Sequence, residues 1–254
     1  MSAFAYSTAA VFGSTGLVGS FILPTLLATP SLQTTTISRR APKPATASPA
    51  PSNLNAVIET DTAAWAPKLP SLSPPPHTVF SAVGTTRAAA GGIANQWKID
   101  HDLNIEIAKA AKAAGAKTYV FISSAGTRGL MASFAPYSKM KVGVEEAIRG
   151  LGFDNAIILR PGLILGTREE SRLAEGLAHS AVHGLGRLSQ AAKDSIGQDA
   201  SEIGRAAVVA SEIAAEGKAP EKFWVLEGAD IIRLGRTEWK ERHGSADADA
   251  EATK

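Results

Sequence analysis

Three features of the 254-residue sequence predict one α/β domain built on a doubly wound parallel sheet. Short apolar segments of strand length alternate with segments of helical periodicity as far as about residue 226. A glycine-rich turn follows the first apolar segment and precedes a helical one. The length suffices for one sizeable core, and 44% hydrophobic with 20% charged residues is ordinary for a soluble globular domain.

The N-terminal third is predicted to hold the first strands and one helix. A helix is expected over residues 16–29, with a kink at Pro24 because proline lacks an amide hydrogen. Residues 41–53 contain four prolines among Ala and Ser, which favours an extended loop where a crossover helix would ordinarily lie. Apolar or β-branched composition marks the strands, which are residues 9–12, 34–38, 56–59 and 78–83.

The same alternation continues in the C-terminal part. Apolar residues at helical spacing predict a helix over 95–114, with Gly115 as its stop, and Pro136 opens another helix. Residues 168–215 are rich in helical pattern, between strands at 118–122, 155–159 and 223–226. We interpret residues 1–243 as one domain, about 163–215 as its substrate-side elaboration, and the small polar residues 244–254 as a disordered tail.

Composition excludes several classes of function. The formal net charge of +2 gives no case for nucleic acid, and the absence of cysteine excludes disulfides and thiolate chemistry. The apolar stretch 17–28 is too short to span a bilayer, and the first basic residue, Arg39, comes too late for an Arg-rich presequence. His179 and His183 lie one helical turn apart, but without a third ligand they predict no metal site.

The glycine-rich turn predicts a Rossmann-type dinucleotide site. Gly13 allows the turn off the strand, Gly16 lets backbone amides approach a pyrophosphate, and Gly19 lets the helix pack closely on the sheet. The N-terminus of the helix then faces the phosphates. The predicted cofactor loop comprises Gly13, Ser14, Thr15, Gly16, Leu17, Val18 and Gly19.

The end of the second strand favours NADP(H) over NAD(H). An NAD site ordinarily places a carboxylate about 20 residues beyond the glycines, to accept from the ribose 2′-hydroxyl. Here Arg39 and Arg40 occupy that place, and the first acidic residue of the chain is Glu59. Guanidinium groups suit a 2′-phosphate, which accepts charge-assisted bidentate bonds. The alternative is a solvated arginine pair at a strand end.

Tyr137 and Lys141 form a Y-x-x-x-K pattern that predicts acid–base chemistry. On a helix the two side chains share one face, and a nearby ammonium is expected to lower the pKa of the phenol. Ser124, or alternatively Ser123, ends the fifth strand and can hold a substrate carbonyl beside Tyr137. The alternative is that Tyr137 is a packing residue and Lys141 pairs with Glu145.

Two further loops are predicted to lie along the cofactor. Gly84, Thr85 and Thr86 follow the fourth strand, and Pro161 and Gly162 follow the sixth. In an open α/β sheet such loops border the ligand crevice. The second loop can offer backbone groups to a nicotinamide carboxamide.

At this point the chain resembles the atypical short-chain dehydrogenases/reductases. More closely it resembles the fungal "found in mitochondrial proteome" family of the outer mitochondrial membrane, and more distantly the animal Tat-interacting oxidoreductases. Departures from the family pattern are Pro24 in the first helix and the extension beyond residue 243. The motifs that carry the resemblance are GSTGLVG (13–19), ISRR (37–40), GTTRAAAGG (84–92), KIDHDLN (98–104), RPGLI (160–164), REESR (168–172) and RLGRTEWK (233–240).

The resemblance implies an NADP-binding fold, Tyr137 as proton acceptor with Lys141 as its partner, and peripheral attachment to the outer mitochondrial membrane. From residues and resemblance together we expect an NADP(H)-dependent oxidoreductase that acts on a carbonyl or alcohol of an unidentified small molecule. The alternative is an NADPH-binding sensor or interaction protein at the mitochondrial surface with little or no turnover. A cytoplasmic location is the alternative placement.

Overall fold

The computed structural model describes residues 4–129, 135–166, 194 and 196–244. Its strands are β1 (Thr8–Phe12), β2 (Gln33–Ser38), β3 (Leu54–Ile58), β4 (Thr78–Ser81), β5 (Thr118–Ile122), β6 (Asn155–Leu159), β7 (Leu163–Leu165), β8 (Gly197–Asp199) and β9 (Phe223–Leu226). Its α-helices are α1 (Gly19–Leu27), α2 (Trp65–Lys68), α3 (Ile93–Trp97), α4 (Leu103–Ala113), α5 (Pro136–Leu151), α6 (Ala200–Ala215), α7 (Gly228–Ile232) and α8 (Trp239–His243).

Seven parallel strands form one sheet in the order β3-β2-β1-β4-β5-β6-β9, which confirms the predicted doubly wound fold. The strand order changes direction between β1 and β4. In such sheets the carboxyl ends of the strands at this point border the ligand crevice. A separate parallel pair, β7 and β8, lies outside the main sheet.

The two faces of the sheet carry two hydrophobic clusters. Because neighbouring strand residues point to opposite faces, Val11 packs with Ile22 of α1 and Ile203 of α6, whereas Phe12 packs with Ile107 of α4. All of these side chains are fully buried. The domain is therefore a three-layer sandwich whose loops at the carboxyl edge of the sheet are free to form a site.

Several predicted boundaries differ from the structure. The first helix begins at Gly19 and is continuous through Pro24, and β3 begins two residues before the predicted strand. The prolines of residues 41–53 do exclude a crossover α-helix, since only the 3-10 turn Lys43–Thr46 forms there. The predicted helix 95–114 is three consecutive pieces, α3, a π-helical turn over Lys98–Asp102, and α4.

The segment assigned to a substrate-side elaboration contains a core helix. Helix α6 packs on α1 so closely that a Cβ on Gly204 would lie 2.9 Å from the Phe21 Cβ. A helix pattern alone does not tell a covering layer from an insertion, and the substrate-side role of about residues 163–215 stays a prediction. Residues 167–193 and the predicted tail from 245 lie outside the described residues. Within the described part, no helix is both long and apolar enough to cross a membrane.

Candidate active site

The glycine loop after β1 is built so tightly that side chains are excluded. Gly13 has φ +79°, and a Cβ there would lie 2.6 Å from the Ala82 carbonyl oxygen at the end of β4. A Cβ on Gly19 would lie 2.1 Å from the Gly13 carbonyl oxygen, which accepts a hydrogen bond of 2.9 Å from the Gly16 amide. The loop therefore holds β1, β4 and the start of α1 together.

The same loop fits a pyrophosphate. The Ser14 hydroxyl is buried, and its oxygen has no hydrogen-bond partner among the described residues. No side chain caps the N-terminus of α1, and no acidic residue lies in its first turn. Amides at a helix N-terminus bind anions, and a buried unpaired hydroxyl beside them calls for a further acceptor or donor. These residues suit the diphosphate of a dinucleotide.

Arg39 and Arg40 lie exposed just beyond β2, as the sequence predicts. The Ser38 hydroxyl donates to the Arg40 carbonyl at 2.7 Å and shapes this turn. The structure also brings Glu59 beside it, because the Glu59 amide donates to the Ser38 carbonyl at 2.9 Å. The expectation that no carboxylate lies near this strand end is therefore wrong, since strand pairing returns Glu59 to it.

The Glu59 carboxylate is nevertheless engaged elsewhere. It accepts the Asp61 amide at 3.0 Å and pairs with Lys68 at 3.1 Å. The Asp61 amide and Lys68 lower the pKa of Glu59. Among the described residues Arg39 forms no ion pair, so its exposed guanidinium is available to an anionic ligand.

Helix α5 places Tyr137 and Lys141 at different depths. The Tyr137 side chain is 39% exposed at the start of the helix, whereas Lys141 is 4% exposed. The Lys141 Nζ donates to the Ile122 carbonyl at 3.2 Å and lies 4.9 Å from the centre of the Phe121 ring. The buried ammonium is thus held against the carboxyl end of β5, one helical turn below the exposed phenol.

The expected lowering of the Tyr137 pKa does not occur in this structure. Burial raises the pKa of Tyr137, its side-chain interaction with Ser124 lowers it, and the charge of Asp100 raises it, so that the net direction is upward. Burial also lowers the pKa of Lys141, against the opposing charges of Asp100 and Glu145. The prediction failed because the Lys141 ammonium is turned towards the strand.

The two serines after β5 have different roles. The Ser123 hydroxyl donates to the Glu145 carboxylate at 2.5 Å and is committed to the interior. Ser124 is half-buried and interacts with Tyr137. The structure therefore supports Ser124, and not Ser123, as the hydroxyl beside the phenol.

Glu145 is a buried charged residue for which the sequence analysis gave no role other than a pairing with Lys141. No ion pair joins Lys141 to Glu145, both of which belong to the described part of the chain. Arg160 donates to the Glu145 carboxylate at 3.1 and 2.6 Å, and Arg128 donates to it at 2.9 Å. Burial alone would raise the pKa of Glu145, but bonds from Arg160, Ser123 and Arg128 lower it. The carboxylate thereby joins α5 to the ends of β5 and β6.

The loop after β4 is held by Asp100, which the sequence analysis also left without a role. The Thr85 amide donates to the Asp100 carboxylate at 3.0 Å, and a Cβ on Gly84 would lie 3.2 Å from the same carboxylate. Gly84 and Thr86 are exposed on this loop. The sequence does contain a signal for this role. Asp100 and Asn104 are polar residues four positions apart on a helix face that is otherwise apolar in pattern and buried.

The loop after β6 is fastened to its neighbours. The Pro161 carbonyl accepts from the Ala125 amide at 2.8 Å, and the Gly162 amide donates to the Gln198 side chain at 2.8 Å. The Gly162 amide is therefore not available to a carboxamide in this geometry. Contact of Pro161 and Gly162 with a nicotinamide stays a prediction.

A cavity of about 450 Å³ opens beside this loop. It lies between the residue that follows Ser124 and the C-terminal part of the domain, and its volume suits a small molecule. Tyr137 does not line it. Its lining includes Ala125, Gly162, Ile196, Gln198, Gly228 and Ile232.

The glycine loop and the Tyr–Lys helix at the carboxyl edge of one parallel sheet define a dinucleotide-binding Rossmann protein of the short-chain dehydrogenase type. The sequence model of the NAD dependent epimerase/dehydratase family matches residues 9–190. The protein fmp52-2, mitochondrial, of Aspergillus terreus is 59% identical over 92% of this chain and 100% of its own length. The corresponding protein fmp-52, mitochondrial, of Neurospora crassa is 57% identical over 95% of this chain and 100% of its own.

The chain therefore belongs to the NAD dependent epimerase/dehydratase family and, within it, to the fungal mitochondrial Fmp52 proteins. Solved structures agree on the fold. An oxidoreductase of the short chain dehydrogenase/reductase family from Burkholderia thailandensis has a TM-score of 0.64 at 15% identity, covering 92% of this chain and 96% of that one. A UDP-glucuronic acid 4-epimerase from Bacillus cereus, in complex with NAD, has a TM-score of 0.62 at 14% identity, covering 87% and 76%.

Replacing Glu145 by Gln tests the buried network. The change removes the one buried carboxylate that Arg160 and Arg128 share and leaves each with a single, exposed carboxylate partner, so we expect a loss of about 3 kcal/mol in the free energy of unfolding at pH 7. Because the folded pKa of Glu145 is lowered, its contribution is complete above the ordinary glutamate pKa and is lost as the pH falls through the folded value. Denaturant unfolding from pH 7 to pH 3 measures both effects.

Glu106→Gln is the matched control, since its side chain is 59% exposed on the neighbouring helix α4, where it pairs with the exposed Lys109. It should change stability by no more than about 0.5 kcal/mol. Equal effects of the two substitutions, or a Glu145→Gln effect that persists at the lowest pH, would contradict the assigned network.

Proposed function

We propose that this protein is an NADP(H)-dependent oxidoreductase that interconverts a carbonyl and an alcohol. The observation that carries the proposal is the position of Tyr137. Its phenol is exposed at the carboxyl edge of the sheet, interacts with Ser124, and stands one helical turn from the buried Lys141. This edge also carries the glycine loop, where ligands of such sheets bind.

Different groups of the chain bind different parts of the cofactor. The amides at the start of α1 and the Ser14 hydroxyl hold the diphosphate. The loop of Gly84, Thr85 and Thr86 would border the cofactor, and Lys141 would contribute positive charge towards its nicotinamide ribose. When bound, NADPH supplies the hydride.

Tyr137 and Ser124 handle the substrate oxygen. The Ser124 hydroxyl orients the carbonyl, and the Tyr137 phenol donates its proton to that oxygen as the alcohol forms. The raised pKa of Tyr137 keeps the phenol protonated at neutral pH, as a proton donor to the carbonyl oxygen requires. After transfer, the Ser124 hydroxyl stabilises the phenolate.

Selectivity for NADP(H) is assigned to Arg39 and Arg40. Adjacent residues at a strand end point in different directions. One guanidinium would therefore bind the 2′-phosphate of NADP(H), and the other would stack on its adenine. The engagement of Glu59 by Lys68 leaves that carboxylate unsuited to a ribose 2′-hydroxyl.

The proposed location is the cytosolic face of the outer mitochondrial membrane, as a peripheral protein. The names of the related fungal proteins include the word mitochondrial, which supports the organelle. The surface contacts that hold the protein there are part of the proposal.

Replacing Tyr137 by Phe tests the chemistry. The variant should retain NADPH binding and lose on the order of 10² to 10⁴ in turnover of any accepted substrate, because the proton donor is gone. Steady-state kinetics and NADPH titration measure the two effects. Tyr119→Phe is the control, since it removes a phenol hydroxyl from the buried β5. Unchanged turnover in Tyr137→Phe would remove Tyr137 from the mechanism.

Cofactor titrations test the arginines. The wild type should prefer NADPH over NADH by roughly 10- to 150-fold, the equivalent of one charge-assisted hydrogen bond. Arg39→Ala or Arg40→Ala, whichever removes the phosphate contact, should erase most of this preference and leave NADH affinity nearly unchanged. Arg149→Ala controls for net charge, since Arg149 lies on the exposed side of α5. Equal wild-type affinities, or a preference that survives loss of both arginines, would refute the assignment.

Fractionation of fungal cells tests the location. The protein should sediment with mitochondria, be released by carbonate or high salt, and be degraded when intact organelles are treated with protease, because it is held by surface contacts outside the membrane. Retention after carbonate extraction, or protection from protease, argues against a peripheral protein on the cytosolic face.

A further inference from the structure

The cavity beside the loop after β6 begins next to the serine of the proposed active site. Its wall includes Ala125, the residue directly after Ser124, and consecutive Cα atoms are only about 3.8 Å apart. The Ala125 amide donates to the Pro161 carbonyl at 2.8 Å, and Gly162, the next residue of that loop, is also part of the wall. A molecule held at the Ser124 hydroxyl therefore lies within one residue of the cavity wall.

Apolar side chains form much of this wall. Ile196 lines the cavity and is 48% exposed, and Ile232 lines it from the end of α7. The Ile196 backbone lies against the loop, because a Cβ on Gly162 would be 2.7 Å from the Ile196 carbonyl oxygen. Leu163, the residue after Gly162, is 56% exposed and pairs with Gly197. Exposed apolar side chains grouped beside a cavity are typical of a ligand site.

The polar side chains of the wall are already paired. The Gln198 side-chain oxygen accepts the Gly162 amide at 2.8 Å, and its nitrogen donates to the Asp194 backbone carbonyl at 3.2 Å. The Asp194 carboxylate accepts two hydrogen bonds of 2.9 Å from Arg236, which also donates to Glu202 at 2.7 Å. The described part of the wall contains a carboxylate and no cationic side chain.

The start of α7 adds two residues to the wall, Gly228 and Ala229. Amides at a helix N-terminus ordinarily favour an anion. Here the carboxylates of Glu227 and Asp230 form a capping box and bring negative charge to the same place. A carboxylate or phosphate group that entered the cavity would lose its hydration without gaining a cationic partner from the described wall, which is unfavourable.

We propose that this cavity receives the part of the substrate beyond the carbonyl group, and that it selects uncharged, largely apolar aldehydes or ketones over those that carry a carboxylate or a phosphate. Ile196 and Ile232 contact the apolar part, and the charge of Asp194 opposes an anion. The identity of the reacting group rests on the proposed function, whereas the preference of the cavity for an uncharged ligand does not depend on turnover.

A matched pair of aldehydes tests the selection. With NADPH, kcat/KM should be at least about 10-fold higher for para-methylbenzaldehyde than for para-carboxybenzaldehyde, because the carboxylate would be desolvated without a partner. Asp194→Asn should lower this ratio several-fold, since it removes the opposing charge and one carboxylate partner of Arg236. Asp154→Asn is the control and should leave the ratio unchanged, since Asp154 is exposed just before β6, at the opposite edge of the sheet. A wild-type ratio near one overturns the proposal.

NMR of the wild-type protein with ¹³C-labelled isoleucine methyl groups measures binding without turnover. The signals of Ile196 and Ile232 are assigned by their absence in Ile196→Val and Ile232→Val. Without cofactor, para-methylbenzyl alcohol should shift both signals in a saturable manner, and para-carboxybenzyl alcohol at equal concentration should not. Ile58 is the internal control, because it is equally exposed, 48%, at the end of β3. Equal responses to the two alcohols, or no response to either, contradict the assignment of the cavity.

The two measurements separate this proposal from the proposed function. If the Ile196 and Ile232 signals respond to the uncharged alcohol alone but NADPH is never consumed, the cavity assignment stands and the proposed function fails. If NADPH is consumed with para-carboxybenzaldehyde as rapidly as with para-methylbenzaldehyde, the proposed function stands and the selection is refuted.

Discussion

The burial of charge on one face of α5 is the constraint on which the site depends. Lys141 and Glu145 are spaced one helical turn apart and both point into the interior between the helix and β5. A buried charge is tolerated only where partners with good geometry compensate it. Those partners come from the ends of β5 and β6 and from the turn containing Arg128. Charge compensation therefore sets the relative positions of the loops that surround Tyr137.

A second constraint acts at the glycine loop, at the other end of the crevice. There the close approach of backbone segments, and not the compensation of charge, fixes the structure. Gly13 and Gly19 approach neighbouring backbone more closely than any Cβ allows. The first strand, the fourth strand and the first helix are thereby joined without side chains between them. The Ser14 hydroxyl remains buried and unpaired among the described residues, beside an uncapped helix N-terminus. The tight glycine loop and the unpaired polar groups beside it together suit a diphosphate.

Local patterns predicted the features that depend on local physics. The doubly wound parallel sheet followed from alternation, the glycine loop from its spacing, and the missing crossover helix from the prolines of residues 41–53. Features that depend on non-local contacts were missed. Glu59 is distant from Arg39 in sequence but is brought beside it by strand pairing. The orientation of the Lys141 ammonium and the partners of Glu145 both require the packing of α5 against other elements. The direction of the Tyr137 pKa shift was wrong for the same reason.

Turnover of NADPH by the purified protein tests the central claim most directly. The protein is mixed with NADPH and, in turn, with a panel of aldehydes, ketones and quinones, and the absorbance of the reduced nicotinamide is followed. An oxidoreductase of the proposed type consumes NADPH in a substrate-dependent manner with at least one class of carbonyl and yields the corresponding alcohol. Tight NADPH binding with no consumption across the whole panel would contradict catalysis and indicate a nucleotide-binding sensor on the same fold.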